Sequence, residues 1–212
     1  MDVARVLFQP LKCIFGDPAY LIPPLLPALV GMASTIYSPP NRETLYISIT
    51  IQMVLGLLSS TILTDMAQRG YHNQPTSLLA SIGRGLIKFP TALVASLLVA
   101  AAAMVGFVLL VVPGILVLTL TFFTVQEVVL ADKGVIGSIK GSVDIVKGNF
   151  LFILALFLYL TSLTMLLEAL AATVSPFASF VVIMLVSPYV TLAITFCYLE
   201  IKKEAVTTPP PM

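Results

Sequence analysis

Long apolar runs alternate along this chain with short, half-polar stretches. A helix needs roughly 20 mostly apolar residues to cross a bilayer. Six stretches fit: 19–37, 44–64, 91–112, 114–131, 150–173 and 177–199. The second is the cleanest, because no charge lies between Glu43 and Asp65. Pro113-Gly114 separates the third stretch from the fourth, and Ser175-Pro176 the fifth from the sixth. Proline and glycine stop helices and permit turns, so both pairs predict tight hairpins. One helix running through Pro113 would overshoot any bilayer.

The half-polar stretches also have a period. In SLLASIGRGLIKF (77–89), Leu78, Ile82, Leu86 and Phe89 recur at helical spacing, as do Ser77, Ser81, Arg84 and Lys88. In VIGSIKGSVDIVKGNF (135–150), Ile139, Val143, Val146 and Phe150 oppose Lys140, Asp144 and Lys147. In VARVLFQPLKCIF (3–15), Val3, Leu7, Leu11 and Ile14 oppose Arg5, Gln9 and Lys12, with Pro10 expected to kink or split the helix. Each is too short and too polar to span, and fits an amphipathic helix lying in the interface. Each carries a lysine shortly before an aromatic residue and the next run: Lys12 before Phe15, Lys88 before Phe89, Lys147 before Phe150.

The pattern predicts an all-α integral membrane protein: six transmembrane helices as three hairpins, each preceded by an amphipathic interfacial helix. Residues 1–206 read as a single six-helix domain with repeats at 1–66, 76–131 and 135–200, and 207–212 as a short flexible tail whose proline run ends the last helix.

Composition agrees. The chain is 58% hydrophobic and 10% charged, with a mean hydropathy of +1.05, against about 25% charged residues in a soluble domain. The net charge of +1 matters less than its distribution. Of eleven Lys and Arg residues, ten fall on one side of the predicted spans and only Arg42 on the other. The positive-inside rule therefore predicts a multi-pass protein of the cell membrane with both termini cytoplasmic. Arg5, Lys12, Arg84, Lys88, Lys140 and Lys147 become candidate lipid-headgroup contacts. No basic cluster is long enough to track a nucleic-acid backbone. Cys13 and Cys197, the only cysteines, read as reduced thiols on the inner side, with Cys13 an alternative site of lipid attachment. A cleavable signal peptide is not expected, because Asp2, Arg5, Gln9, Pro10 and Lys12 interrupt the opening residues.

The stretch VPGILVLTLTFFTVQEVVLADKGVIGSIKGSVDIVKGNF (112–150) carries Pro113-Gly114, Asp132-Lys133-Gly134 and Lys147-Gly148-Asn149-Phe150. It resembles the membrane domain attached to some glycerophosphodiester phosphodiesterases, and its uncharacterised stand-alone bacterial and archaeal relatives. The resemblance covers about forty residues well and the rest by helix count. It implies a fold and no reaction, since in that family the chemistry sits in a separate soluble domain.

Residues suited to catalysis are scarce. The single histidine, His72, sits in a polar loop with no histidine or cysteine at metal-ligand spacing. Gly83-Arg84-Gly85 lacks the strand-to-helix setting of a phosphate loop. No catalytic, cofactor or metal site is assembled, and the chain is read as non-enzymatic. Polar residues inside spans are functional candidates by default: Gln52, expected to bond between helices; Glu127, expected to snorkel or to pair with Arg84, Lys88 or Lys147; and Glu168, near the outer end of its span. Pro23, Pro24, Pro27 and Pro188 predict kinks. Ala92, Ser96, Ala100 and Ala103, with a second series from Ala102 to Gly106, predict a close-packed face on the third span. The expected role is to organise lipid, or to serve as an accessory or scaffold subunit of a membrane complex. The expected partners are membrane lipids, with other subunits or self. A small transporter or channel is the alternative.

Overall fold

A computed structural model describes residues 3–37, 42–75 and 77–207. Asn41 of the expected outer loop and the tail 208–212 lie outside the described residues. Every regular element among the described residues is helical. Four helices, and a fifth helical stretch at Val111–Val129 that a short turn interrupts, are long and apolar enough to cross a membrane, and a sixth crossing is counted only if one bent pair is taken as a single span.

That bent pair opens the chain. Helix α1 (Val3–Gly16) runs through Pro10 without splitting. Asp17 then accepts a hydrogen bond from the Ala19 amide at 3.0 Å and caps a 3-10 turn, Pro18–Leu21. The chain turns by 99° into α2 (Ile22–Tyr37). At 16 residues α2 is shorter than the predicted first span. Helix α3 (Arg42–Tyr71) overruns its predicted end at residue 64 by almost two turns.

The second half-polar stretch departs from expectation. It is not a separate interfacial helix: α4 (Leu78–Leu109) continues through Phe89 and Pro90 as one 32-residue rod. At 1.5 Å per residue it is about 48 Å long, about 18 Å more than a bilayer core. The first dozen residues can therefore leave the hydrocarbon without a bend. Pro90 removes one backbone hydrogen bond, and no residue beside it favours a turn.

The next turn also lies elsewhere. Leu110, extended at φ −169° and ψ 154°, makes it alone. Pro113 and Gly114 belong to the first coil of α5 (Val111–Leu120), where proline has no intrahelical partner to lose. Gly114 is instead the contact point with α4: a Cβ on Gly106 would lie 2.9 Å from the Gly114 Cα. Ser175 makes the equivalent one-residue turn between α8 (Phe150–Val174) and α9 (Pro176–Thr207), with Pro176 as the first helical residue.

The predicted fourth span is broken. It consists of α5 and a short α6 (Thr124–Val129), separated at Thr121–Phe123. Helix α7 (Val135–Gly148) bridges the break. Ser142 Oγ accepts from the Phe123 amide and donates to the Leu120 carbonyl, each at 3.0 Å. The face that α7 buries is therefore Ser138, Gly141, Ser142 and Val146, rather than the aliphatic face the periodicity implied.

The main core lies toward one end of the helices. Leu63 and Met66 of α3, Phe123, Ile153 of α8, and Leu192 and Phe196 of α9 are closed from solvent there, and Val6 of α1 seals it. At the opposite end the large apolar side chains point outward, with Val108 86% and Val112 72% exposed.

Candidate functional site

Three carboxylates sit at the end where the core lies: Asp65 in α3, Glu127 in α6 and Glu200 in α9. Each is buried, and each is held by at least one cation from outside its own helix. An ionised carboxylate out of water is tolerated only with such partners.

Asp65 is reached because α4 approaches α3 closely. Gly85 allows this, since a Cβ there would lie 2.6 Å from Ile62 Cγ1. About one turn earlier, Ser81 donates to Asp65 Oδ2 at 2.7 Å. Arg84 Nη1 meets Oδ1 at 2.8 Å, and Arg69 Nε, one turn along α3, meets Oδ2 at 3.2 Å.

Glu127 is fully enclosed. Tyr198 donates to its Oε1 at 2.7 Å and Lys202 Nζ lies 2.9 Å from the same oxygen, both from α9. Lys133, from the link between α6 and α7, forms an ion pair with Oε2. Lys202 also covers the Tyr198 ring at 4.6 Å. Gly141 keeps room for this cluster: a Cβ there would overlap both Glu127 Oε2 and Lys133 Nζ.

Glu200 Oε1 accepts from Tyr71 and from Arg5 Nη1, each at 3.0 Å. The Arg5 guanidinium lies 4.9 Å from the Tyr71 ring centroid, and its Nε donates to Gln9 at 2.9 Å. A fourth contact, Lys88 with Asp132, is at the surface. The Lys88 ammonium holds the Asp132 carboxyl below the ordinary carboxylate range.

The six candidate headgroup contacts thus divide. Arg5, Arg84 and Lys88 are committed to carboxylates. Lys12, Lys140 and Lys147 are exposed, with no ion pair or hydrogen bond among the described residues. Glu127 pairs with Lys133 and Lys202, not with Arg84, Lys88 or Lys147, because the broken fourth span turns it toward α9. Gln52 donates to Ser48 in its own helix at 3.3 Å and sets its amide oxygen against Gly31 of α2. Glu168 is half-buried on α8 without a polar partner among the described residues. Helices α2 and α9 continue through Pro27 and Pro188. Cys197 is buried and Cys13 half-buried.

Sequence reasoning missed Asp65, Glu200, Tyr71 and Tyr198. A signal was present: each predicted repeat carries one acid near the end of its second apolar run, at Asp65, Glu127 and Glu200. Each acid then takes a cation from outside its own helix: Arg84 of α4, Lys133 of the link ahead of α7, and Arg5 of α1.

Beside Asp65 lies a cavity of about 400 Å³, lined by Asp65, Gln68, Arg69, His72, Gln74 and Arg84. The His72 ring stands edge-on to Tyr71, with centroids 5.2 Å apart.

A protein-family profile described as a domain of unknown function, DUF7847, matches residues 19–201. The chain belongs to this family. The DUF7847 region contains all three carboxylates and ends one residue after Glu200, while Arg5 and Lys12 of α1 precede it. No curated protein and no solved structure matches the chain. The family match makes no link to the phosphodiesterase-associated membrane domain, so that likeness rests on residues 112–150 alone.

Proposed function

We propose that this DUF7847 protein is a non-enzymatic, polytopic protein of the cell membrane that organises anionic lipid around its cytoplasmic face. In this reading α1–α2, α3, α4, α5–α6, α8 and α9 make six crossings as three hairpins, with both termini in the cytoplasm. The single-residue turns at Leu110 and Ser175 support the hairpins, as does the packing of α2 on α3, α4 on α5 and α8 on α9. The outward-facing apolar side chains at the far end support lipid as their solvent.

The observation that carries the proposal is the division among the cations. Buried carboxylates consume Arg5, Arg84, Lys133 and Lys202, while Lys12, Lys140 and Lys147 stay exposed and uncommitted. Near an anionic leaflet each exposed lysine contributes on the order of 1 kcal/mol. The likeness of residues 112–150 to a membrane module without chemistry of its own points the same way. Transport has thinner support, because Glu127 is committed to the Tyr198 hydroxyl and to two ammonium groups, and Gln52 bonds within its own helix.

The test is lipid enrichment. The chain, reconstituted in mixed phosphatidylcholine and phosphatidylglycerol, should gather phosphatidylglycerol in its annular shell above the bulk fraction. The triple variant K12Q/K140Q/K147Q should lose that excess, and salt should weaken it in the wild type. A wild-type shell matching the bulk composition would overturn the reading. Orientation is checked with K140C in a C13S background: an impermeant thiol reagent should label it in inverted membranes and not in intact cells.

A further inference from the structure

The cavity beside Asp65 has a charge arrangement that a solvated ion pair does not require. Two guanidinium groups, Arg69 and Arg84, converge on one carboxylate. The balance is two positive charges against one negative, leaving one positive charge on the wall. Asp65 also fixes how the guanidiniums face. It takes Nε of Arg69 and Nη1 of Arg84. Nη1 and Nη2 of Arg69, and Nε and Nη2 of Arg84, remain donors without a partner among the described residues.

The other lining groups are equally unspent. The side chains of Gln68 and Gln74 and the His72 ring make no hydrogen bond among the described residues. Asp65 itself is closed from solvent, so it acts as a fixed counter-charge orienting the two forks. A ring of free donors with a net positive charge, around about 400 Å³, fits a compact tetrahedral oxyanion. A carboxylate ligand would use one fork; a phosphate can engage both and still accept from an amide or imidazole.

We propose that this cavity between α3 and α4 is a phosphate-binding site, taking a phosphate monoester carried by a lipid headgroup or phosphate free in solution. The lipid-borne form rests on the membrane reading above, and the free form does not.

The experiment uses the full chain in phosphatidylcholine nanodiscs. One arm adds phosphatidic acid and, separately, phosphatidylglycerol, and counts retained lipid by native mass spectrometry. The other adds inorganic phosphate and follows the His72 ring resonances. Phosphatidic acid should be retained at least tenfold over phosphatidylglycerol, and R84Q should reduce this by tenfold or more. Q68A/Q74A, which leaves every Asp65 contact in place, should reduce it several-fold. The K12Q/K140Q/K147Q variant should lower retention of both anionic lipids alike and keep the preference for phosphatidic acid over phosphatidylglycerol. Retention displaced by inorganic phosphate identifies the headgroup phosphate as ligand; His72 shifts with phosphate but no lipid retention identify free phosphate. Annular enrichment of phosphatidylglycerol with neither lipid discrimination nor a phosphate response would leave the lipid-organising role standing and overturn the site. Equal binding by the wild type, R84Q and Q68A/Q74A would also overturn it.

Discussion

Arg5 of α1 and Glu200 of α9 are 195 residues apart in sequence and 3.0 Å apart in space. The contact ties the first helix to the last, and Tyr71 of α3 joins them through the same carboxylate oxygen. Asp65 with Arg84 and Glu127 with Lys133 make analogous ties between the intervening segments. Among these ties the Arg5–Glu200 pair acts as a clasp between the first helix and the last.

The clasp should be measurable. Arg5 is partly exposed and Glu200 is nearly closed, so the pair falls between a surface bridge and a buried one. A double-mutant cycle of R5Q and E200Q should give a coupling on the order of 1 kcal/mol. R5Q alone should cost more than the coupling, because it also removes the contacts of Arg5 with the Tyr71 ring and with Gln9. Buried Cys197 provides the readout: a thiol-reactive dye in detergent should report unfolding at lower temperature in R5Q.

Two glycines of α4, two residues apart, should respond oppositely to alanine. At Gly83 a Cβ would meet nothing within 4 Å, so G83A should stabilise by about 0.5–1 kcal/mol through helix propensity. At Gly85 the Cβ would lie 2.6 Å from Ile62 Cγ1 and 3.2 Å from its backbone nitrogen. G85A should therefore destabilise by about 1–3 kcal/mol. Equal thermal shifts for the two would show that α4 does not press on α3 here.

The break between α5 and α6 depends on one hydroxyl. S142A would strand the Phe123 amide and the Leu120 carbonyl, at about 1–3 kcal/mol for a buried group left unpaired. S138A should cost less, because Ser138 Oγ bonds only the Val135 carbonyl of its own helix. Hydrogen exchange at the Phe123 amide is the direct measurement. It should accelerate in S142A and stay unchanged in S138A.

Asp132 predicts a pH response. Lys88 lowers its folded-state pKa, so the folded state holds its proton less tightly than the unfolded state. The contribution to stability is present above the unfolded value, about 3.9, and fades as pH falls through the lower folded value. K88Q should return Asp132 to the ordinary range, as followed by carboxyl carbon chemical shift against pH. An unchanged Asp132 titration in K88Q would remove the ion pair as the cause.

Hydropathy and local backbone chemistry were enough to find the helices. The apolar run before Asp65 and the chain reversals near residues 113 and 175 could be read directly, because each depends on residues close in sequence. Tertiary structure decided what those local rules leave open. It put the turn at Leu110, since proline is accommodated in the first coil of the helix that follows. It made 78–89 part of a continuous α4, and turned Ser81 and Arg84 toward Asp65 rather than toward headgroups. It chose Lys133, Lys202 and Tyr198 for Glu127 by breaking the fourth span. A sequence shows which charges exist, but a buried carboxylate takes whichever cation the fold delivers within a few ångströms, and here that partner is up to 195 residues away.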